Sequence, residues 1–504
     1  MKITSNLIPV LLMILVSTCN PSGNSTDVSA GSEKNESASG TVRLFAGNQR
    51  YLEFRGKPVV LITSAEHYGA VINMDFDYQI YLETLSEEGF NYTRIFGGTY
   101  IEPVDNIFGI EKNTLAPQPG RFMAPWEKSM GKYDLDRFNP AYFERLSGFL
   151  SEAEKKGIVV ELSLFTSIYA ENAWRLSPFN SINNRNGVGN IDFRRVNTLY
   201  NGPLKDYQER YIRKMVHELN RFNNLFFEIQ NEPWSDNPNL TGYVNEKDST
   251  VFTSNWQKRV EVANGASEQW QEWVASVIRD EESGLPKKHL ISRNISNFMS
   301  NLDRLPEGVS IINFHYALPE AVTGNLDVGG VISLDETGFM PHTDQLYIEQ
   351  AWRFILAGGG LYNNLDYSFT VGHESGDWPI PPGNPGWGGP AFREKLSYLV
   401  ETINQVPFSD MEFSDSILLD GKQGSQQLGL AKTGESYLVL IEEYDPESLV
   451  PSVPEGEYVV TWRNIFSGQA AKQKMTLDGN TPLIPPFKAD PVVILIQKSE
   501  PYKN

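Results

Sequence analysis

At 504 residues the chain exceeds the size at which one hydrophobic core stops growing, which predicts one large domain and a smaller one. A formal net charge of -20 gives no general attraction to phosphate backbones, so nucleic acid is not an expected partner. Polyanionic glycans are disfavoured for the same reason, although a local pair such as Arg194 and Arg195 could act against the overall sign.

In chain order, the first segment is MKITSNLIPVLLMILVSTCN, with Lys2, an apolar run from Leu7 to Val16, and then the only cysteine, Cys19. The run is too short to span a bilayer comfortably and suits the core of a secretory signal over residues 1–18. It resembles the signal of bacterial lipoproteins, which implies acylation of Cys19, although Thr18 stands where that signal usually has Gly, Ala or Ser. The expectation is an exported lipoprotein at the cell surface or in the periplasm, touching a membrane only through this lipid; a secreted soluble protein is the alternative. With one cysteine no internal disulfide can form. Residues 19–41, rich in Ser, Gly and Asn, read as a flexible tether.

Residues 42–407 read as one domain that opens with a hairpin-like stretch, with turn signals at Gly47-Asn48 and Gly56-Lys57. Strand-like runs then start at Val59, Asn91, Ile158, Leu225, His289, Ser310, Val331 and Leu361. Helical patterns lie between or after them: Asp77 to Glu88 with a stop at Gly89, Asn139-Pro140 to Gly157, one through Tyr207 and Leu219, one through Trp270 and Ile278, and then Leu346 to Ile355 and Leu396 to Ile403. Eight strands alternating with helices predict an α/β fold, a (β/α)8 TIM barrel. A doubly wound open sheet would carry a Gly-rich turn after its first strand, and TSAEHYG is not one. Residues 408–504 change texture to short β runs without helical periods, which predicts a small antiparallel β-sandwich.

Barrel strands present reactive groups where they end. The apolar run LFFEIQNEPWSD delivers Glu232 at the tip of the fourth strand, in parity with Glu228 and Gln230, and Pro233 stops the strand. A second apolar run, GGVISLDETG, ends the seventh strand on Glu336, 104 residues later (336 - 232). Asp335 sits one position away, where a register slip would exchange their faces. Two such carboxyls suit glycoside hydrolysis, in which one is protonated and one ionised.

IQNEP and LDETG in this order resemble clan A glycoside hydrolases, the cellulase-like group related to family 5, over the whole barrel. The resemblance implies Glu232 as acid/base, Glu336 as nucleophile, Asn231 as a ligand of the sugar 2-hydroxyl, and Arg94 of NYTRIF as the cation that keeps the nucleophile ionised. It places His315 and Tyr316 of FHYA near both carboxyls. In the same reading Glu232, near another carboxylate and partly desolvated, keeps its proton, and a spacing of about 5 to 5.5 Å gives double displacement. The expected substrate is a β-linked oligosaccharide or polysaccharide. The C-terminal runs YVVTWRNIFSGQ and PFKADPVVILIQ resemble the sandwich sometimes labelled collagen-binding, read here as a docked structural module.

Other residues are weighed against plainer roles. His67 lines the sugar site or is a hydrogen-bonded strand-end histidine. Trp234, Trp378 and Trp387 fall in loops on the expected active face and are candidate sugar platforms, whereas Trp270, Trp273 and Trp352 belong on core helical faces. Glu228 and Glu161 read as interior carboxylates paired with Arg or Gln. Neither an HExxH nor a cysteine cluster occurs, so no metal and no cofactor is expected. The alternative function is a glycan-binding surface lipoprotein on a barrel without turnover; an esterase would need a GxSxG turn that the chain lacks.

Overall fold

The computed structural model describes residues 40–104, 108–244, 256–419, 427–442, 449–487 and 491–499. The predicted signal, Cys19 and most of the predicted tether lie outside the described residues. Eight parallel strands form the central sheet: β1 (Leu61–Ala65), β2 (Tyr92–Phe96), β3 (Val159–Thr166), β4 (Leu225–Asn231), β5 (Ile291–Asn297), β6 (Ile311–His315), β7 (Val331–Glu336) and β8 (Leu361–Leu365). Every residue of these strands is buried, as expected of strands covered on both faces. The ladder runs β1-β8-β7-β6-β5-β4-β3-β2. Between β2 and β1 the barrel is closed by a side chain, since Asn91 accepts from Ile62 N–H and donates to Val60 C=O, both at 2.9 Å.

Among the described residues six long helices cover the strands: α1 (Tyr78–Glu87), α2 (Pro140–Lys156), α3 (Leu204–Leu219), α4 (Gly265–Ser283), α5 (Asp344–Leu356) and α6 (Pro390–Ile403). Asp77 caps α1, Asn139 caps α2 as its sequence predicts, and Gly157 ends α2 with φ 76°. The alternation is incomplete in one place. Residues 298–310, between β5 and β6, form no helix, because Pro306 and left-handed Gly308 turn the chain back within one short loop. Between β6 and β7 only Glu320–Thr323 is helical. Two antiparallel hairpins, Trp126–Ser129 with Lys132–Phe138 and Pro238–Tyr243 with Arg259–Ala263, occupy loops where the sequence reading assigns no strands.

The first barrel strand begins at Leu61 rather than Val59, because Lys57–Val59 pairs within a three-stranded N-terminal sheet. Val42, Leu52 and Phe54 of that segment pack on the N-terminal residues of the barrel strands, among them Leu61, Tyr92, Val331 and Leu361, so the end opposite the site is plugged.

At the C-terminus, β9 (Glu412–Ser414), β10 (Leu428–Lys432), β11 (Ser436–Ile441), β12 (Gly456–Asn464), β13 (Ala470–Leu477) and β14 (Val492–Lys498) form an antiparallel sheet in the order β9-β10-β11-β14-β12-β13. Strand alternation gives it two apolar faces. Leu430, Leu438, Leu440, Val493 and Leu495 join the barrel core, while Val439, Val460, Trp462, Ile494 and Ile496 build a separate core under the ribbon Leu418–Leu419 and Val450–Pro451. The described residues thus make one compact unit. No helix among the described residues is long and apolar enough to cross a membrane.

Candidate active site

Backbone strain is concentrated at the C-terminal rim of the barrel. Of nine non-glycine residues with positive φ among the described residues, six follow closely on barrel strands: Tyr68 after β1, Tyr169 after β3, Glu232 after β4, Phe298 after β5, Tyr316 after β6 and Phe339 after β7. Side chains in this region are disfavoured and persist where surroundings over-determine them. All but Phe298 line a single narrow cavity of about 40 Å³, together with His67, Phe96, Glu102, Phe108, Asn231 and Glu336 among others.

Glu232 is aimed by this kink rather than by strand parity, which corrects the sequence expectation. β4 ends at Asn231, and Glu232 sits at φ 46° and ψ 54° before the short helix Pro233–Asp236. Its N–H donates to Asn294 Oδ1 at 2.9 Å and its C=O accepts from Ser167 Oγ at 2.6 Å, so the turn is held from both neighbouring strands. Tyr169 Oη and Ser235 Oγ donate to Glu232 Oε2 at 3.0 and 3.2 Å.

A β-bulge settles which acidic residue of the seventh strand reaches the cavity. The register with β6 runs Phe314 to Leu334 and then His315 to Glu336, leaving Asp335 as the extra residue. Both acids therefore turn inward at different depths. Asp335 is fully buried and accepts from Asn313 Nδ2 at 2.9 Å, whereas Glu336 lines the cavity and accepts from Tyr68 Oη at 2.9 Å and Tyr316 Oη at 2.8 Å.

One oxygen of Glu232, one oxygen of Glu336 and one nitrogen of His315 lie within 4.8 Å of one another. Tyr316 Oη bridges the two carboxylates, standing 3.2 Å from Glu232 Oε1 and 2.8 Å from Glu336 Oε1. His315 Nδ1 lies 2.9 Å from Glu232 Oε1, and its Nε2 faces Asp335 Oδ1 at 3.4 Å. Burial disfavours the imidazolium, but Glu336, Asp335 and Glu232 around it hold its pKa well above the ordinary histidine value. Burial likewise pushes Glu232 up, yet its hydrogen bonds with His315, Tyr169 and Ser235 outweigh that and keep it below the usual carboxylate range. In the free site the proton shared by this pair therefore rests on His315, contrary to the expectation that Glu232 itself retains it.

Arg94 is fully buried and holds Glu228 first: Nε to Oε2 at 2.8 Å and Nη2 to Oε1 at 2.5 Å. The same guanidinium donates to Asn231 Oδ1 at 2.6 Å, reaches Glu336 Oε2 at 3.3 Å through Nη1, and lies over the Tyr68 ring. Its positive charge is thus shared between an interior carboxylate and the rim.

Below the rim lies Glu161, which takes hydroxyl and amide partners rather than the expected Arg or Gln: Tyr92, Ser292 and Asn313. Burial beside Glu228 and Asp335 raises its pKa to about 8. The folded protein therefore holds a proton that the unfolded chain releases near 4.5. Stability from this group is complete below that value and is lost as pH rises through about 8. Glu161→Gln should accordingly flatten the fall in melting temperature between pH 6 and pH 9, measured by thermal scans against the parent protein. Two acidic groups, Glu232 with His315 and Glu336, and Glu161 with Glu228 and Asp335, are tight enough to share a cation. Arg94 and the histidine proton already supply positive charge to them, which fits proton and guanidinium balance better than a divalent metal.

The remaining candidates divide. His67 lines the cavity with Nε2 3.2 Å from Glu102. Trp234 does not form a platform, because it is buried edge-on behind His315 at 5.3 Å. Trp387 packs against His342 with the rings tilted by 36° and donates to Asp344, outside the cavity lining. Trp378 lines a second cavity of about 470 Å³ with Lys112, Asn113 and Gln118, which shares Ile110 with the first. Trp270 and Trp352 are fully buried helical residues, as expected. Sequence reasoning missed Tyr68, Tyr169 and Asn294; the first two stand three residues beyond a barrel strand, the position that would have flagged them.

An α/β barrel with two buried carboxylates at the C-terminal ends of its fourth and seventh strands defines the class of this protein. No family model and no curated protein matches the chain. Among solved structures, a candidate glycoside hydrolase from Bacteroides vulgatus superposes with a TM-score of 0.61 at 13% identity, covering 92% of this chain and 83% of its own. A family 5 glycoside hydrolase from the same organism gives 0.60 at 11% identity, covering 91% and 94%. A further glycoside hydrolase gives 0.57 at 12% identity, covering 91% and 97%. At such identities the likeness is one of fold.

Proposed function

We propose that the protein is a retaining glycoside hydrolase that cleaves β-glycosidic bonds in an oligosaccharide or polysaccharide. The observation that carries this reading is the carboxylate pair, with oxygens of Glu232 and Glu336 within 4.8 Å of each other at the cavity floor. That spacing suits direct attack by one carboxylate better than a water held between two, which needs about 6.5 to 9.5 Å.

In the proposed reaction Glu336 attacks the anomeric carbon while Glu232 gives a proton to the departing oxygen, forming a glycosyl ester and a free sugar hydroxyl. Substrate entering the cavity displaces water and favours the neutral form of a carboxyl, so the proton moves from His315 Nδ1 to Glu232 along their hydrogen bond. Glu232 then takes a proton from water, whose oxygen attacks the ester and frees Glu336. Asn231 holds the sugar 2-hydroxyl, and Tyr316 steadies both carboxylates. Proton NMR of the first product from an aryl β-glycoside tests the stereochemistry: β-product supports the reading, and α-product overturns it.

Trp378 is read as a platform for further sugar units and His67 as part of the sugar wall. Trp378→Ala should then shrink the advantage in kcat/KM that longer oligosaccharides hold over short ones, by roughly 10-fold for loss of a packed aromatic contact, measured on a chain-length series. The C-terminal sheet serves as a docked structural module in this reading. The N-terminal sequence supports export and a lipid at Cys19.

A further inference from the structure

Two loops meet over Glu232. One follows β3 and carries Tyr169; the other is the short helix Pro233–Asp236. Asp236 turns back across the gap, and its carboxylate accepts from the N–H of Ile168 at 2.6 Å and of Tyr169 at 2.8 Å. This grip falls on a strained residue, because Tyr169 has φ 65°, where a side chain with a Cβ is disfavoured. Edge contacts from Tyr100 and Phe108 fix the Tyr169 ring, whose hydroxyl donates to Glu232 Oε2 at 3.0 Å and accepts from Asn231 Nδ2 at 2.7 Å.

We infer that Asp236 is a positioning residue for the reaction, acting through Tyr169 to hold Glu232 in place and to set how firmly it binds a proton. This rests on the reading of Glu232 as acid/base and deepens it. A hydroxyl donating to a carboxylate favours its charged form, so loosening Tyr169 raises the proton affinity of Glu232. Asp236 is not among the residues lining the cavity that holds Glu232 and Glu336. Burial raises its own pKa to about 7, with Arg194 opposing that shift and Asp192 adding to it. Tyr100 senses its charge from the loop after β2. The grip is therefore strongest above neutral pH and weakens as the carboxylate is protonated.

The test is the pH profile of kcat/KM on a chromogenic β-glycoside for wild type, Asp236→Asn, Tyr169→Phe and the double variant. Each single change should lower kcat roughly 10- to 100-fold, the scale of a hydrogen bond to a charged group. Both should move the alkaline limb upward by the same amount, and the double variant should be no worse than the worse single. Additive losses overturn the inference, as does an Asp236→Asn profile that is lower in amplitude but unmoved in pH. If Asp236→Asn does not fold, Asp236→Glu carries the test: the limb should move in the same direction by less, and an unmoved limb counts against it. Wild-type protein that cleaves no glycoside overturns the enzymatic reading itself, an outcome distinct from these.

Discussion

Glu336→Gln should lower turnover of any accepted β-glycoside by about 10,000-fold or more, the scale on which loss of a covalent nucleophile acts. Gln keeps the size of the side chain and its one carbonyl oxygen can still accept from either Tyr68 or Tyr316, while its amide group donates to the other hydroxyl, so folding should be spared while the attacking oxygen is lost. Glu232→Gln should behave differently. Protonation of the leaving group is worth about 100- to 10,000-fold, but an aryl leaving group of low pKa scarcely needs it. The variant should therefore cleave an activated aryl glycoside in a burst and then stall at the ester, and azide should rescue it as a β-glycosyl azide. A 2-fluoroglycoside should leave its label on Glu336 in peptide mass spectrometry. A label on Asp335 would reverse the assignment, although the bulge at Asp335 places that carboxyl beneath the cavity rather than in it.

Which parts of this arrangement could be read from the chain follows from how local each determinant is. All eight strand positions were legible because each is a short apolar run bounded by turn residues, and the ends of α2 because Asn139-Pro140 and Gly157 are local capping chemistry. Between β5 and β6 the sequence shows no helical pattern and residues 298–310 form no helix, although the eightfold alternation as a whole invites one. The rim was legible only as residue types. Glu232 and Glu336 stand out at strand ends, but the left-handed turn at Glu232 depends on Asn294 and Ser167, far away in sequence, and the bulge at Asp335 on its pairing with β6. Trp234 misled for the same reason: its loop faces the active end, but its ring packs against His315. The protonation pattern was least accessible, because it is a sum over charges carried by five strands, β2, β3, β4, β6 and β7.

Arg94→Met should destabilise the fold by about 3 to 5 kcal/mol, the usual cost of removing one partner from a buried ion cluster, and should nearly abolish activity. The guanidinium reaches Glu228, Asp335 and Glu336 together, none of which has another full positive charge beside it except His315. Without Arg94 the carboxylates must take up protons or remain charged against one another in a dry interior, and the folded-state pKa values of Glu228 and Asp335, which Arg94 pulls down, rise. A raised folded-state pKa gives stability that is complete at low pH and lost as pH climbs. The deficit of Arg94→Met relative to wild type should consequently be small near pH 5 and large near pH 8, read as denaturation midpoints. Arg94→Lys should recover little, because a single ammonium cannot make the two-pronged contact with Glu228 while also reaching Asn231 and Glu336. Adding Glu228→Gln to Arg94→Met removes one of the stranded charges and should restore part of the lost stability without restoring catalysis, since Glu336 would still lack its nearest cation. A deficit equal at both pH values would show that Arg94 contributes packing rather than charge balance.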